Sequence, residues 1–196
     1  MITSRMRSLI CIAIAFLSVA TLSAQAGASW LDRPMTSWNQ PASVVPAAQA
    51  GTESQGALER RCGSSSLASS TTAGPLRTAG WVPFLHFDRA IARDGVEVIG
   101  GMTTANPGCE PTIFNLFVFV DGRFAGTISP AVMTQSRDGI AGTVRIIGAD
   151  SLTAEFARYT PKDTECCPSS RVRVTYRIER AGSQPTLVPL DRRTLR

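Results

Sequence analysis

Runs of β-branched and aromatic residues dominate the chain from residue 81 onward. Gly, Asp, Ala and Ser separate these runs, a spacing typical of short strands joined by tight turns. The runs cover residues 96–99, 113–120, 123–128, 143–147, 152–159 and 171–180. The pattern predicts a mainly β domain, with α+β as an open alternative, built as an antiparallel meander sheet of about five to six strands.

Two of these runs also predict how their strands are buried. Residues 113–120 read IFNLFVFV, which is apolar on both faces and predicts a central strand covered on each side. Residues 171–180 instead alternate between apolar and charged positions, which predicts a strand with one wet face. Asp121 and Gly122 follow the first of these strands and predict a hairpin, because both residues tolerate the positive φ of a tight turn. Gly100 and Gly101 are expected to end the strand at 96–99, and since no helix follows they do not form a phosphate-binding loop.

The N-terminus has the layout of a secretory signal peptide. Arg5 and Arg7 precede an uncharged apolar run of about 14 residues, and Ala24-Gln25-Ala26 then supplies the small residues of a cleavage site. A helix needs about 20 apolar residues to cross a membrane, so we predict export and cleavage between Ala26 and Gly27 rather than a stable span. The mature protein is expected in the periplasm or outside the cell, with no membrane span after signal removal.

The rest of the chain divides into three predicted parts. Residues 27–56 are rich in Ala, Ser, Pro and Gln, and predict a disordered leader or flexible linker. Residues 57–182 form a single β-rich domain that opens with a helical turn at 57–62, and residues 183–196 are expected to fray. Trp30 and Trp38 are unusual in a leader, and they either dock on a partner or fold back on the domain.

Charge says little about partners. The 20 basic residues exceed the 15 acidic ones, but two of the basic residues lie in the predicted signal. No basic run alternates with aromatic residues, so we predict no nucleic-acid partner.

Four cysteines remain after removal of the signal, at positions 62, 109, 166 and 167. An even number in an exported protein predicts two disulfides. Three pairings are formally possible, and the strain of a bond between adjacent cysteines favours Cys62 and Cys109 each joining one of Cys166 and Cys167. The spacing matches neither a redox motif nor a zinc site, and we predict no metal and no cofactor.

His86 is the single histidine and lies two residues from Asp88, so on a strand the two side chains would share a face. This arrangement suits a catalytic base and its orienting carboxylate. However, no serine has the Gly-x-Ser-x-Gly setting of a nucleophile, so we assign no catalytic residue and keep a His86 hydrolase only as an alternative.

Several segments of the domain resemble the LppP/LprE lipoprotein family over roughly residues 60–180. These are Cys109, FVFVDGRFAGT after it, SLTAEFARYTPKD and VRVTYRIE. The resemblance implies an exported protein at or near the envelope and no particular reaction. It also implies a bond between Cys62 and Cys109, which leaves Cys166 and Cys167 as a vicinal disulfide or two free thiols. The chain lacks the family's lipobox, so a form without a lipid anchor is expected.

Three functions remain open from the sequence. The favoured one is a non-enzymatic binding module that engages an unknown protein or glycan of the envelope through its sheet face or hairpin loops. The second is an inhibitor of a secreted hydrolase, which inserts residues 106–109 or 161–168 into an active site. The third is the hydrolase based on His86.

Overall fold

The computed structural model of the chain describes residues 29–67, 70–85, 91–181 and 184–195. The predicted signal at residues 1–26 lies outside these ranges, and so do His86 and Asp88.

Within these ranges the chain forms two α-helices and ten strands. The helices are α1 (Gln55–Cys62) and α2 (Ala73–Thr78). The strands are β1 (Val82–Phe84), β2 (Ile91–Arg93), β3 (Val96–Ala105), β4 (Pro111–Val120), β5 (Arg123–Thr127), β6 (Met133–Thr134), β7 (Ala141–Gly148), β8 (Ser151–Arg158), β9 (Ser170–Ala181) and β10 (Gln184–Leu195). Short 3-10 turns lie at Trp30–Asp32 and Ser65–Leu67.

The strands form two antiparallel sheets. The first has the order β1-β3-β4-β5, with β2 also paired to β3 and β6 also paired to β4. The second has the order β10-β9-β8-β7. The mainly β fold is therefore confirmed, and strands that follow one another in the chain mostly pair. The predicted single meander is divided into two sheets, because one face of each buries apolar side chains against the other.

The first sheet also has a second apolar layer. Ile99, Phe117 and Phe119 point away from the second sheet and pack against Leu76 of α2 and against Trp81. The prediction for β4 is confirmed, because every residue from 114 to 120 is buried. In β9 the apolar positions face the core and the charged ones face solvent, also as predicted. The buried residues of β9 are Val172, Val174, Tyr176 and Ile178.

The predicted hairpin joins β4 to β5. Asp121 has a φ of 48° and Gly122 a φ of 76°. Val120 pairs with Arg123, so these two residues form the tight turn that the sequence predicted.

The two glycines of β3 have a different role from the predicted one. β3 continues through Gly100 and Gly101 rather than ending there. A Cβ on Gly100 would lie 2.3 Å from the ring of Phe84, and one on Gly101 would lie 2.9 Å from Phe117. The glycines therefore allow aromatic rings to lie against the strand, which is a packing requirement that a single sequence does not reveal.

The C-terminal segment, predicted to fray, is the strand β10. It pairs with β9 from Gln184 to Leu195, with a register shift between Pro189 and Asp191. Its prolines are tolerated because β10 lies at the edge of its sheet, where a missing N–H costs no ladder bond. Leu187 is fully buried and fixes the strand to the core.

The segment before α1, predicted as a flexible linker, packs on the domain from residue 29 onward. Leu31 is buried, and the rings of Trp30 and Trp38 meet edge to face at 5.3 Å. Trp30 also contacts Phe156, and Trp38 contacts Tyr176. Both tryptophans therefore fold back and close one opening between the sheets, because their large apolar rings pack, partly buried, against the core.

Asn39 joins the two sheets at the same place. Its amide donates to the carbonyls of Thr127 (3.1 Å) and Leu187 (2.9 Å), and its oxygen accepts from the Thr127 N–H (2.9 Å). Thr127 ends β5 and Leu187 lies in β10, so one buried side chain bridges the edges of both sheets.

Candidate functional site

Cys62 and Cys109 connect the helical layer to the end of the first sheet. Ser54 caps the start of α1 by accepting from the Ala57 N–H, and Cys62 is the last residue of that helix. Cys109 lies in the turn between β3 and β4, with a φ of 65°. The two sulfurs are within bonding distance and the Cα atoms are 5.2 Å apart, so the structure contains the pairing that the family resemblance implies.

A groove of about 760 Å³ lies beside this cysteine pair. Its wall combines polar surface with slightly more apolar surface, and Phe84 and Phe114 meet there edge to face with ring centres 5.8 Å apart. The other lining residues are Cys62, Ser64, Leu85, Gly108, Cys109, Glu110, Pro111, Gln135, Ile140 and Ala141. These residues come from both sheets, from α1 and from the turns between them.

The turn at the rim of the groove is held by hydrogen bonds. The Asn106 amide donates to the Glu110 carboxylate at 2.7 Å, and the Glu110 N–H donates to the Asn106 side-chain oxygen at 2.9 Å. On the other side of the turn, Arg61 donates to the Asn106 carbonyl and pairs with Glu53. The positions of Cys109 and Glu110 are therefore fixed by several independent contacts.

Cys166 and Cys167 lie in the exposed loop that joins β8 to β9. Their sulfurs are within bonding distance of each other, with Cα atoms 3.8 Å apart. The pairing favoured on strain, in which these cysteines join Cys62 and Cys109, is not the one that the structure contains.

Asp163 organises the same loop. Its carboxylate accepts from the Ser169 hydroxyl, from the N–H of Ser169 (2.9 Å) and from the N–H and hydroxyl of Thr160 (2.8 and 2.9 Å). These hydrogen bonds, the one from the Ser169 hydroxyl first, lower the pKa of Asp163 to about 2. The Tyr159 hydroxyl also donates to the Glu165 carbonyl at 2.8 Å, so the loop is internally braced.

The outer face of the second sheet carries a set of arginines that we name the arginine face. Its members are Arg145, Arg171, Arg173, Arg177 and Arg193. All five are exposed, and they share one face because Arg173 lies opposite both Glu155 and Arg193, while Arg145 lies opposite Thr153.

Acidic residues neutralise only part of the arginine face. Arg173 pairs with Glu155 at 2.6 Å and Arg177 pairs with Glu179, while Asp191 lies opposite Thr175. Within the described part of the chain, the remaining three arginines form no ion pair. The face therefore carries a net positive charge.

The remaining chemistry of the chain concerns His86, metal ligands and membrane-spanning helices. His86 lies outside the described residues, so the predicted dyad with Asp88 has no geometry here. In the ranges given above, no three His, Cys, Asp or Glu side chains come close enough to hold a metal ion. Those ranges also include no helix with the length and apolar character of a membrane span.

The sequence pointed to some of these features and missed others. Arg171, Arg173 and Arg177 stand out as the wet positions of the alternating β9 run. Arg193 lies in the tail that the sequence predicts to fray, and no local signal marks the groove, whose lining residues are spread over about 80 positions of the chain.

Residues 96–181 match the family model of the LppP/LprE lipoproteins. This confirms the resemblance for β3 to β9, the region that contains Cys109, the hairpin and the alternating strand. No curated protein and no solved structure shows significant similarity to the chain. The fold and the family together define a disulfide-linked β domain similar to envelope lipoproteins of unknown function.

Proposed function

We propose that the chain is exported by residues 1–26 and acts, after cleavage between Ala26 and Gly27, as a non-enzymatic binding module in the periplasm or outside the cell. The similarity to a lipoprotein family supports a place at the envelope. The absence of a lipobox from the sequence supports a mature form without a lipid anchor. Mass spectrometry of the exported protein, with and without reduction, tests the mature N-terminus, the lipid and the cysteine pairing together.

The arginine face is the surface proposed to bind. It is exposed and rigid, because its strands are anchored by the buried residues of the opposite face. Protein interfaces usually contain several aromatic or aliphatic anchors at their centre, whereas this face offers mostly arginines and threonines, with Ile147 as an exposed aliphatic residue beside Arg145. Guanidinium groups bind carboxylates and phosphates with two parallel hydrogen bonds. The partner proposed is therefore an anionic glycan of the envelope.

A binding isotherm with polygalacturonate, a carboxylated glycan, tests this proposal, with neutral dextran as the uncharged control. Replacement of Arg145, Arg171 and Arg193 by Ala is expected to weaken binding about tenfold or more. The matched control replaces the exposed Arg33, Arg60 and Arg61, which lie before and within α1, and removes the same charge.

Equal weakening in both triple variants would show a general charge effect and reject the arginine face as the site. Absence of wild-type binding to polygalacturonate would reject the anionic glycan. A further binding isotherm uses double-stranded DNA at the same concentration of negative charges as the polygalacturonate. We expect the protein to bind the glycan more tightly than the DNA.

The loop at residues 161–168 favours a second candidate, an inhibitor of a secreted hydrolase. Protease inhibitors present a rigid exposed loop, and this loop is braced by Asp163 and by the adjacent cysteines. Assays against a panel of cell-wall hydrolases and proteases test it, with Asp163→Ala expected to reduce inhibition. For the hydrolase based on His86, hydrolysis that His86→Ala abolishes without loss of folding would contradict the non-enzymatic proposal.

A further inference from the structure

We propose that the groove beside Cys62 and Cys109 binds a small amphiphile with an apolar body and a cationic head. This ligand is distinct from the anionic partner of the arginine face, and the groove shares no residue with that face.

The apolar body follows from the wall of the groove. Phe84, Phe114, Leu85 and Ile140 present carbon surface, and the cysteine pair adds polarizable sulfur. Small-molecule sites typically have volumes of about 300–1,000 Å³, and this groove, whose wall is both apolar and polar, falls within that range.

The wall is formed before a ligand binds. The ring of Phe84 lies against Gly100, where a Cβ would come within 2.3 Å of it, and it also contacts the ring of Phe114. The rim is fixed by the contacts of Asn106 and by the link from Cys109 to α1. A rigid site loses little conformational entropy when a ligand enters, which favours affinity.

The positive charge proposed for the head of the ligand is inferred from the carboxylate of Glu110 in the groove. Among the described lining residues Glu110 is the one ionizable side chain, and Ser64 and Gln135 supply the uncharged polar groups. Asn106 occupies one oxygen of the Glu110 carboxylate and leaves the other for a ligand. The guanidinium of Arg61 lies 3.9 Å from the Cys109 sulfur, but its charge is paired with Glu53 and it donates to the Asn106 carbonyl. An anionic head would therefore meet a like charge, while a cationic head would gain an ion pair.

Titration calorimetry of the full mature chain with two surfactants that share one tail tests the charge. The probes are dodecyltrimethylammonium and dodecyl sulfate, both below their micelle concentrations, with dodecyl maltoside as the neutral reference. We expect the cationic probe to bind most tightly. Glu110→Gln should weaken its binding about fivefold and leave the maltoside unchanged.

A pair of matched variants locates the site. Ile140→Asn places a polar group in the groove, whereas Ile147→Asn makes the same change at an exposed position of β7 outside it. We expect about tenfold weaker binding of the cationic probe by the first variant and less than twofold change by the second. Thermal melts confirm that both variants are folded.

Three outcomes would overturn the proposal. They are equal affinity for the cationic and anionic probes, unchanged binding by Glu110→Gln, and equal effects of the two isoleucine variants. If Ile140→Asn fails to fold, perturbation of the Phe84 and Phe114 ring signals by the cationic probe in wild-type NMR spectra replaces it. Unperturbed rings would then reject the groove.

Discussion

The two sheets of this domain differ in how many of their faces are covered. The first sheet is buried on both sides, by the second sheet on one and by α2, Trp81 and Val45 on the other. The second sheet is buried on one side and presents the arginine face on the other. The first sheet thus contributes mainly to stability, while the second combines a stabilising face with an exposed one, the surface proposed to bind.

The side-chain patterns of β4 and β9 show this difference between the sheets. β4 has apolar residues at consecutive positions, so neither of its faces is suited to water. β9 alternates, and its charged positions remain in water without any cost of burial. Substitutions on the two sheets should therefore have very different effects on the free energy of unfolding, and five experiments test this difference.

The largest effect is expected at the outer face of the first sheet. Phe117 is fully buried, and its ring lies 5.2 Å from that of Trp81. Phe117→Ala leaves a cavity between β4 and the helical layer and should lower the free energy of unfolding by about 4 kcal/mol. Urea denaturation measures the loss. Leu190→Ala, at an exposed position of β10, is the control and should change stability by less than about 0.5 kcal/mol. A loss below about 1 kcal/mol for Phe117→Ala would mean that the outer layer does not cover the sheet.

The bond from Cys62 to Cys109 comes next, because it ties α1 to the first sheet. Its cysteines are 47 positions apart, so replacement of both by Ser should cost up to about 4 kcal/mol through the greater freedom of the unfolded chain. The bond between the adjacent Cys166 and Cys167 closes almost no loop, so replacement of both residues by Ser should cost less than about 1 kcal/mol. The comparison uses thermal and urea unfolding, and an equal loss in both variants would contradict it.

A third experiment concerns Asn39, which joins the edges of the two sheets. Asn39→Ala leaves the buried Thr127 N–H without its side-chain partner and should cost about 2 kcal/mol. Its exposed neighbour provides a control, since Gln40→Ala should be neutral within about 0.5 kcal/mol. Hydrogen exchange should show faster opening of β10 in the Asn39 variant, and unchanged exchange there would argue against the bridge.

A small effect is expected on the outer face of the second sheet. Arg173 is 45% exposed and pairs with Glu155 across the strands. Solvent screens this pair, so Arg173→Ala should lower stability by about 0.5 kcal/mol. The midpoint of urea unfolding provides the measurement, and Arg173→Lys is the control that retains the charge. A loss similar to that of Phe117→Ala would show that this face is part of the core.

The smallest effect on global stability is expected from the titration of Asp163. The pKa of this carboxyl in the folded loop is about 2, below its ordinary value of 3.8. The ionised carboxylate is the form that the loop binds, so its stabilising contribution is complete above about pH 4 and is lost as the pH falls towards 2.

NMR titration of the Thr160 and Ser169 amides should show a midpoint near 2, and Asp163→Asn should abolish it. The Tm of the variant should stay close to that of the wild type, because the loop is exposed. A midpoint near 3.8 would indicate that the carboxylate is not held by these hydrogen bonds.

Local patterns were sufficient for the elements that depend on near neighbours. The buried run of β4, the alternation of β9 and the turn at Asp121 and Gly122 each contain their information within about ten residues. The helix around residues 57–62 was also found, since the structure has α1 at Gln55–Cys62.

The errors concern segments whose structure depends on distant partners. The leader has the composition of a linker, but Leu31 and Asn39 find places between sheets that are about 90 to 150 residues away in sequence. The tail has two prolines and several charges, but the edge position of β10 makes both harmless.

The sequence by itself determined the approximate positions of β4, β5, β7, β8 and β9, which strand has two apolar faces and which has one, because side-chain periodicity is a property of neighbouring residues. Only the tertiary structure decided that the strands divide between two sheets, that the leader and tail close their edges, and that residues from both sheets line one groove. Those features arise from contacts between distant segments, whose free energy depends on shapes that exist only after the chain has folded.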